Sequence, residues 1–214
     1  MRNAILSFIL ILVPYGLLAS DLGLGFIEVD KDSPLELFRQ KNDKQRERYL
    51  QLPQRPVMDL FSALDYERDY KWFKPQAISV TLQKCLIKVT QVEDDWIQVE
   101  TNLETKEKMW IDGHRHINIY SWEEILKKYC MVRAIESENI KSEPTINSTT
   151  IQMTTLNDYF NVVEVTGDWI KIATNRVWEH LAPNGRLENG WIKWKSDDQI
   201  KVKLYFDIDT RGNR

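Results

Sequence analysis

Cysteine is scarce in this chain and no charge sign dominates, and each of these absences excludes a class of protein. The 214 residues contain two cysteines, too few for the scaffold of a small disulfide-rich domain. Lys and Arg number 29 against 32 Asp and Glu, so the net charge is -3. Proteins that bind nucleic acid present a concentrated basic surface, and this charge balance therefore gives no reason to expect a nucleic-acid partner.

The sequence also lacks recognisable catalytic elements. It has no Gly-rich phosphate loop and no Gly-x-Ser-x-Gly nucleophile element. Cys85 lies in an apolar, strand-like run and Cys130 ends a short predicted helix, so neither thiol begins a helix, where its pKa would be lowered. We therefore expect no enzymatic activity and no cofactor. Two interpretations of the cysteines remain open: one disulfide, or two buried free thiols.

The first twenty residues are typical of a signal peptide. Arg2 supplies the positive charge, Ala4 to Leu18 is almost wholly apolar, and Ala19-Ser20 offers small residues for cleavage. The apolar run is shorter than the ~20 residues of a membrane span, and no cysteine follows it for a lipid anchor. We expect cleavage near Ser20, export to the periplasm or outside the cell, and no stable membrane span afterwards; a retained N-terminal anchor is the alternative.

An internal repeat organises the rest of the chain. Residues 88–99 align without a gap to residues 161–172, and an Asp-Trp-Ile triplet coincides in the two copies. A Trp-Ile pair closes each copy, at Trp110 and at Trp191. The spacing from the first Trp to the second is 14 residues in one copy and 22 in the other, so the second copy carries eight extra residues.

Each copy predicts a β-hairpin. Side chains around the triplet alternate between two faces, and Asp94-Asp95 or Gly167-Asp168 supplies the turn. We expect Trp96 and Trp169 to lie inside their units. Several short strands separated by turns favour a small barrel or sandwich.

A short helix is predicted between the copies. Ser121 is a good N-cap, and Glu124 follows at the capping-box spacing. An apolar stripe at helical spacing completes the pattern: Trp122, Ile125, Leu126 and Tyr129.

Three stretches of the second copy resemble a known family. They are the hairpin from Val162 to Ile172, the closing Gly190-Trp191-Ile192 and, in part, the segment before the hairpin from Ala134 to Pro144. These stretches resemble the bacterial Src homology 3-like family, small extracytoplasmic barrels that often occur in tandem. The first copy departs from the pattern: it lacks the glycine before Asp-Trp, and its upstream stretch is not recognisable. The resemblance implies binding of peptides or cell-wall components, and it transfers no binding residue to this chain.

The expected fold is mainly β, with two small Src homology 3-like barrels in tandem that a short helix joins. An irregular or helical N-terminal segment precedes them, and Ser33-Pro34 could start a helix in it. The expected divisions are a signal peptide over 1–20, the N-terminal segment over 21–70, a divergent first repeat over 71–118, the connecting helix over 119–130 and the second repeat over 131–208.

The extra residues of the second copy are the candidate binding site. They bring together Arg176, Trp178, His180 and Arg186 on a loop. Loops on a rigid scaffold commonly carry recognition, and Trp with Arg is typical of binding hot spots. The alternative is that Trp178 folds back to cover its own core.

His114 and His116 are two residues apart and would point the same way on a strand, with Asp112 nearby as a third metal ligand. We favour a polar turn and expect no metal.

Taken together, the sequence predicts an exported, non-catalytic binding module for a peptide, a cell-wall component of the peptidoglycan type or an envelope protein. The alternative is a structural or regulatory subunit that docks to another envelope protein.

Overall fold

The computed structural model describes residues 22–55, 69–79, 81–115, 117–128, 130–177, 179–181, 185–197 and 199–206. The fold is mainly β, as predicted. The predicted signal peptide, His116, Trp178 and Tyr129 lie outside the described residues.

The first half of the chain forms one sheet and a separate hairpin. Its strands are β1 (Gly25–Asp30), β2 (Leu35–Leu37), β3 (Arg48–Leu50), β4 (Ala77–Ser79), β5 (Lys84–Glu93), β6 (Trp96–Asn102), β7 (Glu107–Asp112) and β8 (Ile119–Tyr120). The sheet runs in the order β7-β6-β5-β1-β8, with β4 paired to β5, and β2 and β3 pair with each other. A 3-10 turn at Gly113–Arg115 leads from β7 towards β8.

The second half forms a seven-stranded sheet and a separate two-stranded hairpin. The strands are β9 (Cys130–Ala134), β10 (Asn139–Lys141), β11 (Thr150–Met153), β12 (Phe160–Thr166), β13 (Trp169–Thr174), β14 (Gly190–Lys193), β15 (Lys195–Ser196), β16 (Gln199–Ile200) and β17 (Val202–Phe206). The order is β11-β10-β14-β13-β12-β9-β17, and β15 and β16 form a small hairpin of their own. Both sheets are open in strand order, and two closed barrels in tandem stay a prediction.

The repeated hairpins are confirmed by their strand register. Val89 pairs with Val99 in the first, and Val162 pairs with Ile172 in the second, the equivalent residues of the alignment. Both hairpins shift register directly after that pair, one between Val89 and Gln91 and the other between Val162 and Glu164. A bulge at the same aligned position in both copies shows that the sequence repeat is also a structural repeat.

The two hairpin turns are also equivalent. Asp94 and the aligned Gly167 both have positive φ, 51° and 57°. The prediction that the Trp of each Asp-Trp-Ile triplet lies inside its unit is wrong, because Trp96 and Trp169 are only half-buried. Period-two alternation explains the difference, since the following Ile97 and Ile170 point into the core instead.

The first described part of the N-terminal segment contains strands, which corrects the expectation of an irregular or helical segment there. Residues 22–55 contain β1, β2 and β3, and the expected helix start at Ser33-Pro34 precedes the strand β2. Leu35 and Leu37 are buried with Glu36 between them, and this alternation favours a strand over a helix.

These N-terminal strands give the first hairpin the same neighbours as the second. β1 pairs with β5 as β9 pairs with β12: Ile27 lies opposite Ile87, and Val132 lies opposite Phe160, which aligns with Ile87. The β2–β3 hairpin meets β7 through a bridge from Phe38 to Trp110, and β10 meets β14 through Lys141 and Trp191. The upstream element that is not recognisable in the first repeat's sequence is thus supplied from before residue 71, and strand pairing crosses the predicted boundary.

The connecting helix α1 (Trp122–Lys128) is confirmed with its capping box. The Glu124 carboxylate accepts hydrogen bonds from the Ser121 backbone N–H and hydroxyl, at 2.7 and 2.8 Å. These bonds hold the pKa of Glu124 below its ordinary value. The buried face of α1 comprises Trp122, Ile125 and Leu126.

The two halves share a hydrophobic core because β1 and β5 are buried on both faces. Ile27 and Ile87 pack into a cluster confined to the first half. Phe26 and Leu86, on the opposite face, join a second cluster that contains α1 and the core of the seven-stranded sheet. A strand buried on both faces needs a nearly continuous apolar run, which explains why β5 reads Cys-Leu-Ile-Lys-Val rather than alternating.

Candidate binding groove

The loop predicted as the site is anchored at its base. The Asn175 side chain accepts a hydrogen bond from the Val177 N–H at 2.9 Å and donates one to Asn161 at 2.6 Å. On the return side, the Leu187 N–H donates to the Thr174 hydroxyl at 2.8 Å. The aligned Asn102 accepts equivalent bonds in the first repeat, so this Asn turn belongs to the fold of the unit.

Three of the four predicted binding residues lie in the described part of the loop. Arg176, His180 and Arg186 all have exposed side chains. A 3-10 turn at Glu179–Leu181 lies within the loop, and Trp178 falls outside the described residues. The loop therefore stays a predicted site.

A groove in the surface lies where β4 and β17 run beside each other. It encloses about 860 Å³, within the usual range for a ligand site. β17 pairs only with β9 and β4 only with β5 among the described strands, so two sheet edges flank the groove. The lining also includes Lys88, Lys106, Met131, Ile135, Tyr159 and Ile200.

Two tyrosines line one wall of the groove, and an arginine that is not part of the lining contacts both. The rings of Tyr159 and Tyr205 meet edge to face with centroids 5.4 Å apart, and the Arg133 guanidinium lies 5.7 and 5.5 Å from the two rings. Arg133 also donates to the Leu156 carbonyl at 3.1 Å, while its Nε is buried without a hydrogen-bond partner among the described residues. Burial raises the pKa of the Tyr205 hydroxyl, against an opposing effect of Arg133.

The charge of the groove differs from that of the whole chain. Its described lining contains three lysines, Lys88, Lys106 and Lys203, and no carboxylate. Behind the wall, the Lys88 ammonium and the Glu100 carboxylate form a buried ion pair at 2.6 Å, and Lys106 lies 3.2 Å from the other oxygen of Glu100. Lys203 is exposed on β17, so the most accessible charge in the groove is positive.

The two repeats use this face differently. Phe26 and Leu86 of the first repeat align with Met131 and Tyr159 of the second. Trp122 of α1 packs edge-on against Phe26 with centroids 4.4 Å apart, and Leu86 is fully buried. In the second repeat, Met131 and Tyr159 line the groove instead, and no described helix packs over them.

Sequence reasoning missed the groove because its residues are scattered over the chain. None of them belongs to the eight extra residues that mark the second copy. They come from 75–79, Thr81, Lys88, Leu103, Lys106, Met131, Ile135, Tyr159 and 199–206. The only local signal is the alternation in β17, where Lys203 and Tyr205 point away from the core that receives Val202 and Leu204.

His114 is held between two carboxylates on a turn. Its Nδ1 lies 2.6 Å from Asp112 and its Nε2 lies 3.2 Å from Asp95. The hydrogen bond to Asp112 and the charge of Asp95 raise the pKa of His114 above its ordinary value. Within the described part of the chain, no group of three His, Cys, Asp or Glu side chains could hold a metal ion.

Cys85 is a free thiol, buried in the core of the first half. Burial raises the pKa of this thiol well above its ordinary value, with a smaller contribution from the charge of Glu28. A thiol of raised pKa holds little of the nucleophilic thiolate at neutral pH.

The structure is thus a mainly β chain with a repeated hairpin and a groove of mixed apolar and basic character. No family model matches the chain, and no curated protein resembles it significantly. Among solved structures it resembles the structure of NlpC2 from Trichomonas vaginalis, with 10% identity, a TM-score of 0.28, and coverage of 81% of this chain and 49% of that one. The chain thus spans about half the length of that protein, and a TM-score this low does not establish a shared fold.

The described helices include none with the length and apolar character that crossing a membrane requires.

Proposed function

We propose that this chain is an exported, non-catalytic binding protein, built from two Src homology 3-like units in tandem, that holds a segment of a peptide or protein partner. The observation that carries the proposal is the groove beside β4 and β17, which exposes a face of the second unit whose counterpart in the first unit is covered by α1. A face left open at the end of a repeat array is available to a partner.

The strand correspondence supports the Src homology 3-like assignment. In each unit a first strand, β1 or β9, lies between the central hairpin and the last strand, β8 or β17. An intervening hairpin returns to the third strand of the central meander in both units. In both units the last strand pairs with the first, as expected of a small barrel. We infer that the first unit spans about residues 22–120 rather than 71–118.

Panning a random peptide library displayed on phage against the mature protein tests this function. We expect a recurring peptide class whose binding is lost in Tyr205→Ala and retained in Val163→Ala, an exposed site on β12 away from the groove. Enrichment that is unaffected by both variants, or no enrichment at all, would argue against a binding groove at this place.

The export part of the proposal predicts a mature N-terminus near residue 21, and mass spectrometry of the native protein would determine it.

One observation favours the alternative of a docking subunit. The edge strand β11 carries no charge, and its Ile151 and Met153 are 48% and 53% exposed. Natural edge strands of this kind are usually protected by charged residues or covered by another element. A stable complex of fixed composition, lost in Ile151→Lys with Met153→Lys and retained in Tyr205→Ala, would identify β11 as the docking surface.

A further inference from the structure

Aliphatic side chains from both halves of the chain are left exposed in the groove. Ile78 of β4 is 40% exposed and Ile135, directly after β9, is 45% exposed, and both line the groove. Leu103, Met131 and Ile200 add apolar surface to the same lining. Single exposed aliphatic residues are common on protein surfaces, but several of them in one concavity are typical of a ligand site.

The course of the strands restricts what can occupy this groove. Cα atoms of β4 and β17 lie within 8 Å of each other, although each strand forms its ladder with a different neighbour. A strand inserted between two others would hold them about 10 Å apart, so no polypeptide strand fits between β4 and β17. A hydrocarbon chain is thinner and needs apolar surface instead of hydrogen-bond partners, so it can lie along the line where the two strands meet.

The charge beside this apolar surface is positive. Lys203 is exposed and lines the groove, and Arg133 lies directly opposite it across β9 and β17, just outside the lining. In the first unit the residue aligned with Arg133 is Glu28, whose carboxylate binds the Lys84 ammonium at 2.7 Å. Lys84 aligns with Asn157, so this ion pair has no counterpart at the same positions of the second unit. Like charges on directly opposite residues destabilise a sheet, and an anion bound beside them would relieve the repulsion.

We infer that the groove binds a single-chain amphiphilic anion, whose hydrocarbon chain lies on Ile78, Ile135 and Ile200 and whose carboxylate or phosphate head group lies at Lys203. The absence of carboxylates from the described lining fits such a head group. The inference rests on the proposed binding function, because it uses the same groove, and it adds a small ligand to the partner segment proposed above.

Isothermal titration calorimetry with dodecyl compounds, each below its critical micelle concentration, tests this inference on the mature protein. Dodecanoate and dodecyl phosphate are the anionic probes, and dodecyl maltoside and dodecyltrimethylammonium are the neutral and cationic controls. We expect both anions to bind at least about tenfold more tightly than either control, with affinity falling as salt rises. Shortening dodecanoate to octanoate should weaken binding by at least about tenfold, because less apolar surface is buried.

Variants of the groove place the ligand. Lys203→Glu is expected to remove the preference for anions, whereas the matched charge reversal Lys108→Glu, an exposed site on β7, leaves it unchanged. Ile135→Ser should weaken the binding of both anions by at least about threefold, while Val163→Ser, an exposed site on β12 outside the lining, should not. Circular dichroism shows whether each variant keeps the fold.

Each other result overturns a defined part of the inference. Equal affinity for anionic and cationic head groups overturns the anionic ligand. Affinity that does not change with chain length overturns the amphiphile and leaves an anion site. Binding that survives both Lys203→Glu and Ile135→Ser overturns the placement in the groove. Failure of every dodecyl probe overturns the whole inference, and peptides selected by phage display that depend on Tyr205 would then still support the proposed function. An empty phage selection as well would remove that function too.

Discussion

At the residue scale, the most consequential pair is Lys88 with Glu100. The two side chains face each other across β5 and β6, and only 6% and 4% of their surfaces are exposed. A buried ion pair adds little net stability, because desolvation offsets the attraction. Removing one partner is different, since it leaves the other charge buried and uncompensated.

We therefore expect Glu100→Gln to lower the free energy of unfolding by about 3–5 kcal/mol, measured by urea denaturation. The matched control is Lys106→Gln, which removes the 65% exposed partner of the same carboxylate and should cost less than about 1 kcal/mol. Equal, small losses in both variants would show that Lys88 and Glu100 are better solvated than the structure indicates.

His114 gives a pH dependence whose sign follows from its raised pKa. Protonated His114 is favoured in the folded state by Asp112 and Asp95. Its contribution to stability is fully present below the unfolded pKa, near the ordinary value of 6.5, and is lost as the pH rises through the folded pKa above that value. The imidazole is solvent-exposed, so the effect is small.

An NMR titration should place the pKa of His114 above 6.5 in the wild type and lower it in Asp112→Asn, which removes the closer carboxylate. Asp32→Asn, on a distant exposed turn, serves as the control and should leave the titration unchanged. A His114 pKa at or below 6.5 would contradict the arrangement of the three side chains.

At the element scale, the turn of the second hairpin isolates a backbone effect. Gly167 has a φ of 57°, and an added Cβ would meet nothing within 4 Å. Any cost of a side chain here therefore comes from the left-handed conformation alone, which disfavours most L-residues by about 1–2 kcal/mol. The first hairpin meets the same requirement with Asp94, because the short Asp side chain bonds locally.

We expect Gly167→Ala to destabilise the protein by about 1–2 kcal/mol, and Gly167→Asn to cost less, since Asn tolerates this conformation. Thermal denaturation of the two variants measures the difference. If Ala and Asn cost the same, the turn does not hold the positive φ in solution.

At the scale of the whole molecule, Trp122 links the two units. It packs against Phe26 of the first unit and, at 5.2 Å between centroids, against Trp194 of the second. Its indole N–H donates to the Leu22 carbonyl at 3.0 Å. Both units therefore depend on one side chain of α1, and they should unfold together.

Calorimetry should show one unfolding transition in the wild type. Trp122→Ala is expected to cost about 3–5 kcal/mol and to separate the transition into two. The control Trp169→Ala, half-buried within the second unit alone, should cost less and keep a single transition. Two transitions already present in the wild type would show that the shared core does not couple the units.

Local pattern alone determined several features of this protein. The hairpins at Trp96 and Trp169 and the capped helix after Ser121 are set by alternation, turn residues and a capping box, which act over a few neighbours. The mainly β class follows from the same local signals.

Only the tertiary structure decided the rest. Residues 25–50 carry weak local signals, and β1 becomes a strand of the first unit because β5 and β8 pair with it from about 60 and 90 residues away. The groove likewise exists only where β4 meets β17, and its basic character arises because lysines distant in sequence converge there while Glu100 is buried behind them. Pairing partners and charge neighbours at such separations are set by packing, which no window of adjacent residues contains.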